Sequence, residues 1–338
     1  MPRSRITARE IGWAVAKAVA ALLLVEGALR LLAPGLVGLT FYALPPAALA
    51  YHQEHPALFW YRPRELGQAY ERIAAYRGKN LVVTLGGSVA EGWQGHGFAE
   101  ALEARLAPRF PGYASVPLVF GGYTTYHSRI LLDEVLRRGT PRVVVVCNMM
   151  NDQTPAPIPF KEVGLRNRAW TRRVLFYRLN RLKTFVVLRR GAEAAAGALR
   201  RQSPAKSRTP AVPLADYADN LDAMARRCAE RGCALVLVSE PTPACRDLGT
   251  LADYEQALRE AARRNPGVYF ADVRARFDEE RRRLGLPCLE DLHLDVKGRD
   301  AYQDALFTDS CCHLTWRGVG VMADPVERVL LDNHLLAE

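Results

Sequence analysis

A serine that follows two glycines at the end of a strand-like run is the first place in this chain where chemistry can be read. Leu81-Val82-Val83-Thr84-Leu85 is a β-type run, and Gly86-Gly87-Ser88-Val89-Ala90-Glu91-Gly92 follows it. The glycines let the backbone turn sharply without a Cβ clash, so Ser88 stands at the tip of a buried strand. A helical pattern beginning at about Phe98 is expected to offer free N–H groups to a developing negative charge nearby. The spacing is G-x-S-x-x-x-G, which differs from the G-x-S-x-G nucleophile elbow. Taken alone, the motif reads more readily as a glycine-rich turn with a solvated serine. A nucleophilic serine also needs a base, a group that orients the base, and donors aimed at an oxyanion.

Three later stretches offer those parts. Phe120-Gly121-Gly122-Tyr123-Thr124-Thr125 follows the β-like run Val116 to Val119 and puts glycine at a second strand end. Val143-Val144-Val145-Val146 runs into Cys147-Asn148-Met149-Met150-Asn151-Asp152. Near the C-terminus, Phe307-Thr308-Asp309-Ser310-Cys311-Cys312-His313-Leu314-Thr315-Trp316-Arg317-Gly318 places an acid and a histidine just before a last helix. Ser, Gly, Asn and His in that order, each at a strand end or a helix start, resemble the four blocks of the SGNH (GDSL-type) hydrolases over roughly residues 79 to 335.

The resemblance implies roles one position at a time. Ser88 matches the nucleophile, Gly122 the glycine of the second block, Asn151 the asparagine of an Asn-Asp pair, and His313 the base. The backbone N–H groups of Ser88 and Gly122 and the amide of Asn151 would form the oxyanion hole. Two positions depart from the family pattern. Gly87 stands where an Asp usually precedes the serine, and Ser310 stands three residues before the histidine, where an Asp is usual. Asp309, one residue further away, is the candidate to orient His313, with Asp304, a backbone carbonyl or Ser310 as alternatives. Glu290-Asp291-Leu292-His293-Leu294 also has an acid before a His-Leu, which makes His293 a rival base. Trp93 and Gln94, and Tyr123 and Tyr126, stand beside the first two blocks as either substrate contacts or packing residues; His96 and His127 read as packing or surface residues.

A site of this kind needs strand ends held side by side. Strand-like runs near 81–85, 116–120, 143–147, 234–239 and 267–271 alternate with helical patterns, including one from about Tyr217 to Arg231. Such alternation predicts an α/β fold with a central parallel sheet between two helical layers and ligands at the carboxyl ends of the strands. The resemblance implies the same three-layer α/β/α sandwich, flavodoxin-like in type. The loop Glu240 to Cys245 lies at one such strand end and is expected to wall the site. With 338 residues, 49% hydrophobic and 24% charged, the chain is long enough for one such domain and an appendage.

The appendage comes first. Arg3, Arg5 and Arg9 precede a mostly apolar run from Ile11 to Leu32, and after that run no Lys or Arg appears until Arg62. The run contains Lys17, Glu26 and Arg30, of which Glu26 and Arg30 can pair at i, i+4. These features predict a transmembrane anchor in residues 1–33 with an exported C-terminal part, in preference to a cleaved signal peptide or a helix packed on the domain. Residues 34–78, with Pro34, Pro45, Pro46, Pro56 and Pro63 among aromatics, read as an extended tether. Residues 79–335 form the hydrolase domain, interrupted by an insertion at 153–213.

The insertion is basic. From Lys161 to Arg208 there are 14 Lys or Arg against Glu162 and Glu193, while the whole chain is +10, so the remainder is slightly acidic. Val174, Leu175, Leu179, Leu182 and Val186 give it an amphipathic pattern. In an exported, anchored chain this charge favours an anionic lipid or glycan over nucleic acid, or else belongs to a solvated face whose apolar side packs on the sheet. The seven cysteines, Cys147, Cys228, Cys233, Cys245, Cys288, Cys311 and Cys312, show no C-x-x-C spacing that would hold zinc. Cys147 and Cys312 are minor rival nucleophiles. No metal or cofactor is implied. The sequence thus predicts a membrane-anchored serine esterase acting on an acyl or acetyl ester of a cell-envelope glycan or lipid. An O-acyltransferase using the same acyl-enzyme and a non-catalytic tethered module of the same fold are the alternatives.

Overall fold

The computed structural model describes residues 7–33, 52–92, 97–156, 158–172, 178–179, 181–199, 209–243, 250–287, 303–309 and 312–337. The chain divides into two compact units: Met1–Pro63 with Val163–Lys206, and Arg64–Glu162 with Ser207–Glu338.

In chain order the second unit contains β1 (Asn80–Gly86), α1 (Ser88–Glu91), α2 (Phe98–Leu106), β2 (Tyr113–Val119), α3 (Thr125–Arg138), β3 (Val143–Cys147), α4 (Met149–Asp152), α5 (Leu214–Arg231), β4 (Ala234–Val238), α6 (Thr250–Arg264), β5 (Val268–Ala271), α7 (Val273–Leu284) and α8 (Trp316–Asp332). The five strands form one sheet in the order β2-β1-β3-β4-β5, and every neighbouring pair is parallel. Every residue of β1 and β3 is buried, the pattern of strands covered on both faces. The helices present apolar stripes to the sheet: in α6, Leu251, Tyr254, Leu258 and Ala261 recur at helical spacing and are buried. Helices α2, α7 and α8 pack together as one layer, and α3, α5 and α6 as the other. This is the expected sandwich with the flavodoxin-like strand order, and the crevice of such a sheet lies where the chain leaves its first strand to either side.

Ahead of the sheet, Pro63–Ala75 is a helix burying Leu66, Ala69 and Ile73. The tether expected over 34–78 is therefore not extended throughout, because these residues make one apolar face. Residues 34–51 lie outside the described part.

The first unit contains the helix Ala8–Leu32, a two-stranded antiparallel hairpin of Gln53–His55 with Phe59–Tyr61, and the helix Lys183–Leu199, which packs against Ala8–Leu32. Thr7 and Glu10 form a reciprocal capping box at the start of the first helix. A helix thus forms where a membrane-spanning one is expected. Among the described residues, however, no helix is long and apolar enough to cross a membrane. Arg9, Glu10, Lys17, Glu26 and Arg30 all fall within Ala8–Leu32 and interrupt its apolar character. Val174 and Leu175 of the expected amphipathic pattern lie outside the described residues.

Helix α3 carries a histidine into the core. The His127 ring is fully buried, stacks on Tyr123 with centroids 4.4 Å apart, and meets the edges of Tyr126 and Phe160. Its Nδ1 accepts from the Thr124 N–H at 3.1 Å. Burial holds its pKa down at about 3. An unfolded histidine takes up its proton near about pH 6.5, so below that pH the unfolded state binds a proton that the native state refuses. Stability should therefore fall by about 1.4 kcal/mol per pH unit from this group as pH drops from about 6.5 towards about 3. Urea titrations of the wild type and His127→Gln between about pH 7 and about pH 4.5 check this: the substitution should flatten the slope, whatever it costs at neutral pH.

Candidate active site

The chain leaves β1 through a backbone that admits no side chain. Gly87 is extended, and its N–H donates to the Cys147 carbonyl at the end of β3 at 3.0 Å. A Cβ on Gly87 would lie 1.9 Å from the amide nitrogen of Asn151. The space that an Asp would fill is thus where the Asn151 amide sits. A helical turn then begins at Ser88 itself and not first at Phe98, where the next helix starts after Gly97. As the first residue of that turn, Ser88 has no intrahelical acceptor for its N–H.

Ser88 Oγ lies 2.9 Å from His313 Nε2, and His313 Nδ1 hydrogen-bonds to Asp309 Oδ2. The other oxygen of Asp309 accepts from the N–H groups of Cys312 at 3.0 Å and His313 at 3.2 Å. The Asp therefore reaches the imidazole from i−4, because the loop folds back on itself: Thr308 N–H donates to the His313 carbonyl at 2.8 Å, and Phe307 bridges Leu314. Thr315 then caps α8, accepting from Gly318 N–H at 3.1 Å and donating to the Ala305 carbonyl at 2.7 Å. A Cβ on Gly318 would lie 2.2 Å from the Leu306 carbonyl oxygen, so the close approach of α8 to this loop requires glycine. Asp304, an alternative orienter, accepts from the N–H groups of Leu306 and Phe307 and pairs with Arg281. Ser310 and the rival base His293 lie outside the described residues, as do Trp93, Gln94, His96, Cys245, Cys288 and Cys311.

The second strand end brings a tight turn to the serine. Tyr123 N–H donates to the Phe120 carbonyl at 3.0 Å, and Gly122 takes φ 78° at the third position, which only glycine adopts without strain. Gly121 lies against Ser88, where a Cβ would come within 4.0 Å of the serine Cβ. The Tyr123 carbonyl accepts from Asn148 Nδ2 at 2.9 Å and from Asn151 Nδ2 at 3.0 Å. An amide nitrogen carries two hydrogens, so one hydrogen of Asn151 remains beyond that bond. Tyr123 and Tyr126 are buried, which makes them packing residues.

The sequence profile of the GDSL-like Lipase/Acylhydrolase family matches residues 84–301. The chain belongs to this family. It is accordingly an ester-hydrolysing enzyme. The match covers the Ser88, Gly122 and Asn151 segments and stops before His313. Solved structures similar to this GDSL-like chain include the α/β-hydrolase enzyme LAE5 from the metagenome of Lake Arreo, Spain, at 18% identity and TM-score 0.47, covering 79% of this chain and 100% of that one. Others are the acetylxylan esterase Axe2 from Geobacillus stearothermophilus, in a catalytic mutant, at 15% identity and TM-score 0.47 over 74% and 93%, and the acetyl xylan esterase AlAXEase at 14% and 0.49 over 74% and 100%. No curated protein matches the chain in sequence.

Beneath the site of this GDSL-like enzyme are two buried carboxylates whose part the sequence did not disclose. Asp152 accepts from Thr125 N–H at 3.1 Å and from its hydroxyl at 2.5 Å, tying the second block to the third. Glu240, expected in a wall, is fully buried and accepts from the Met150 N–H at 2.6 Å. Burial pushes the Asp152 carboxyl well above the usual carboxylate range, with Glu240 adding to the rise. Ser128 and Asn148 complete the layer through a hydroxyl-to-amide bond of 2.5 Å. Only Asn148 and Asp152, flanking Asn151 in its block, carried any signal. Cys147 is buried, and burial pushes its thiol up, so it is no nucleophile. Cys147, Cys228 and Cys233 carry free thiols.

The Gly87–Asn151 contact is testable. Gly87→Ala drives a methyl into the Asn151 amide and should lower kcat by about two to three orders of magnitude, the loss typical of one oxyanion donor. KM should change little, and the variant should still unfold cooperatively, at a lowered midpoint. A wild-type kcat in Gly87→Ala would remove Asn151 from the oxyanion site.

Proposed function

We propose that the chain is a serine esterase in which Ser88 is the nucleophile, His313 the base and Asp309 the group that orients it. The observation that carries this is the unbroken line from Ser88 Oγ through His313 to Asp309. Ser88 Oγ attacks the ester carbonyl while His313 Nε2 takes its proton. Asp309 accepts from the other ring nitrogen, holds that tautomer and stabilises the imidazolium. The N–H groups of Ser88 and Gly122 and the second amide hydrogen of Asn151 receive the oxyanion. His313 then returns the proton to the leaving alcohol, and water, deprotonated by the same imidazole, releases the acid from the acyl-enzyme.

The substrate in this reading is an acyl or acetyl ester of a cell-envelope glycan or lipid, and the enzyme is attached to a membrane through the helix Ala8–Leu32 with its catalytic unit on the exported side. Two features support attachment. Arg3, Arg5 and Arg9 flank only one end of the apolar run. Large side chains along the helix, among them Trp13, Val19, Leu23, Leu24 and Leu31, are exposed.

A series of p-nitrophenyl esters from acetate to palmitate tests the reaction. Ser88→Ala and His313→Ala should each remove nearly all turnover, and the double variant should be little worse than either, since the pair acts as one unit. Additive losses would contradict the assignment. Asp309→Asn should lower kcat by up to about four orders of magnitude with the fold intact, through the wrong imidazole tautomer. A near-wild-type rate in that variant would move the orienting role elsewhere. For the side of the membrane, a reporter active only outside the cytoplasm and fused after Glu338 should be active; activity of a cytoplasmic reporter there would refute export.

A further inference from the structure

We propose that the helix Lys183–Leu199 is a second membrane-contact element, set at the lipid surface by the C-terminal turns of the helix Ala8–Leu32. This rests on the membrane attachment proposed above.

The starting point is Glu26, a carboxylate in an otherwise apolar stretch, where a charge facing lipid is costly. It does not face outward. Its oxygens accept from the N–H groups of Lys183 at 3.1 Å and Thr184 at 2.9 Å, and from the Thr184 hydroxyl at 2.9 Å. Arg30 pairs with it at 2.7 Å. Glu26 thus supplies acceptors and negative charge to the start of Lys183–Leu199, where a helix has unsatisfied donors and a positive dipole end. The bonding runs in both directions. Arg30 donates to the Arg181 carbonyl, and Lys183 Nζ donates to the carbonyl of Ala33, each at 3.1 Å. The end of one helix and the beginning of the other are therefore held at one level. If the end of Ala8–Leu32 lies at the outer face of a bilayer, Lys183–Leu199 starts there too.

The second helix has the composition that such a place requires. Val186 is buried, whereas Leu182, Val187 and Leu188 are exposed, Leu188 at 65%. Arg181, Lys183, Arg189 and Arg190 stand among them in the stretch that carries 14 basic residues against two acidic ones. Exposed leucines and valine beside cations suit a helix whose apolar side chains enter the bilayer by about 5–10 Å while Lys and Arg meet phosphate headgroups. The charge complements anionic lipid, and the exposed leucines of the partnering helix require the same apolar medium. An anionic bilayer surface is the single occupant that satisfies both.

The test uses the full chain in vesicles of phosphatidylcholine and phosphatidylglycerol, with an environment-sensitive thiol probe on Leu188→Cys or on Leu23→Cys and the signal of the unsubstituted chain subtracted. Lipids brominated along the acyl chain should quench both probes by about twofold. Adding Glu26→Ala should reduce quenching at Leu188 and leave Leu23 quenching and ester turnover unchanged. A quenched Leu23 probe with an unquenched Leu188 probe would overturn this inference, would fit a protein partner for that helix, and would leave the attachment standing. Quenching at neither position would overturn the attachment and this inference together. Undiminished quenching at Leu188 in Glu26→Ala would show that the cap does not set the helix in place.

Discussion

The hydrogen bond between Ser88 and His313 joins residues 225 positions apart, and the proposed reaction depends on keeping it. One end is fixed by β1, whose tip is held to both neighbours: Phe120 N–H donates to the Gly86 carbonyl at 3.1 Å and Gly87 N–H to the Cys147 carbonyl. The other end is a loop with no sheet to support it. Its position comes from the Thr315 cap, the close approach at Gly318, and a buried pair of Arg281 and Asp304 at 3.2 Å. Breaking such a pair by removing one partner typically costs about 3–5 kcal/mol, because the other charge stays buried. That cost keeps the loop in one arrangement, and so keeps the imidazole aimed at a serine on a different element.

The proposed oxyanion half of the site is held by different means. Donors aimed at developing charge are effective when they are fixed beforehand, so that the reaction does not have to reorganise them. Here two glycine approaches bring the chain close, at Gly87 and at the Gly121–Gly122 turn, and Asp152 and Glu240 fasten what has been brought together. Burying a carboxylate is unfavourable, as the upward displacement of Asp152 shows. Each is retained where it accepts from a backbone N–H in a turn that carries no ladder partner: Thr125 at the start of α3 and Met150 at the start of α4. The unfavourable burial and the fixed donors are two sides of one arrangement.

What was legible in the sequence follows from the range of each constraint. The five strands and their parallel direction were readable because all five are short β-type runs separated by helical patterns. The placement of Ser88, Gly122, Asn151 and His313 just beyond strand ends or before a helix was readable because each sits beside a local signal. Asp309 stood beside three alternatives, since its reach from i−4 depends on Thr308 folding back onto His313, a pairing that spacing cannot express. The filling of the Gly87 space by Asn151 was invisible for the same reason: 64 residues separate them in the chain. Glu240 was read as part of a loop walling the site, because a carboxylate that ends in the core has the same sequence signature as one in water.

The helix Ala8–Leu32 shows how a local reading can be correct and still miss the main interaction. Glu26 and Arg30 pair at i, i+4, as their spacing predicts. Such a pair on a helix surface contributes only about 0.3–0.5 kcal/mol, too little to account for a carboxylate in an apolar stretch. The larger contribution comes from Lys183 and Thr184, more than 150 residues away, which present two backbone donors and a hydroxyl to the same carboxylate. Hydrogen bonds to a charged group are each stronger than neutral ones, and these donors belong to a helix start that would otherwise lack acceptors. Two of the five charges in Ala8–Leu32, Glu26 and Arg30, are thus groups that seat a second helix on it, and this interruption of its apolar run marks a tertiary contact.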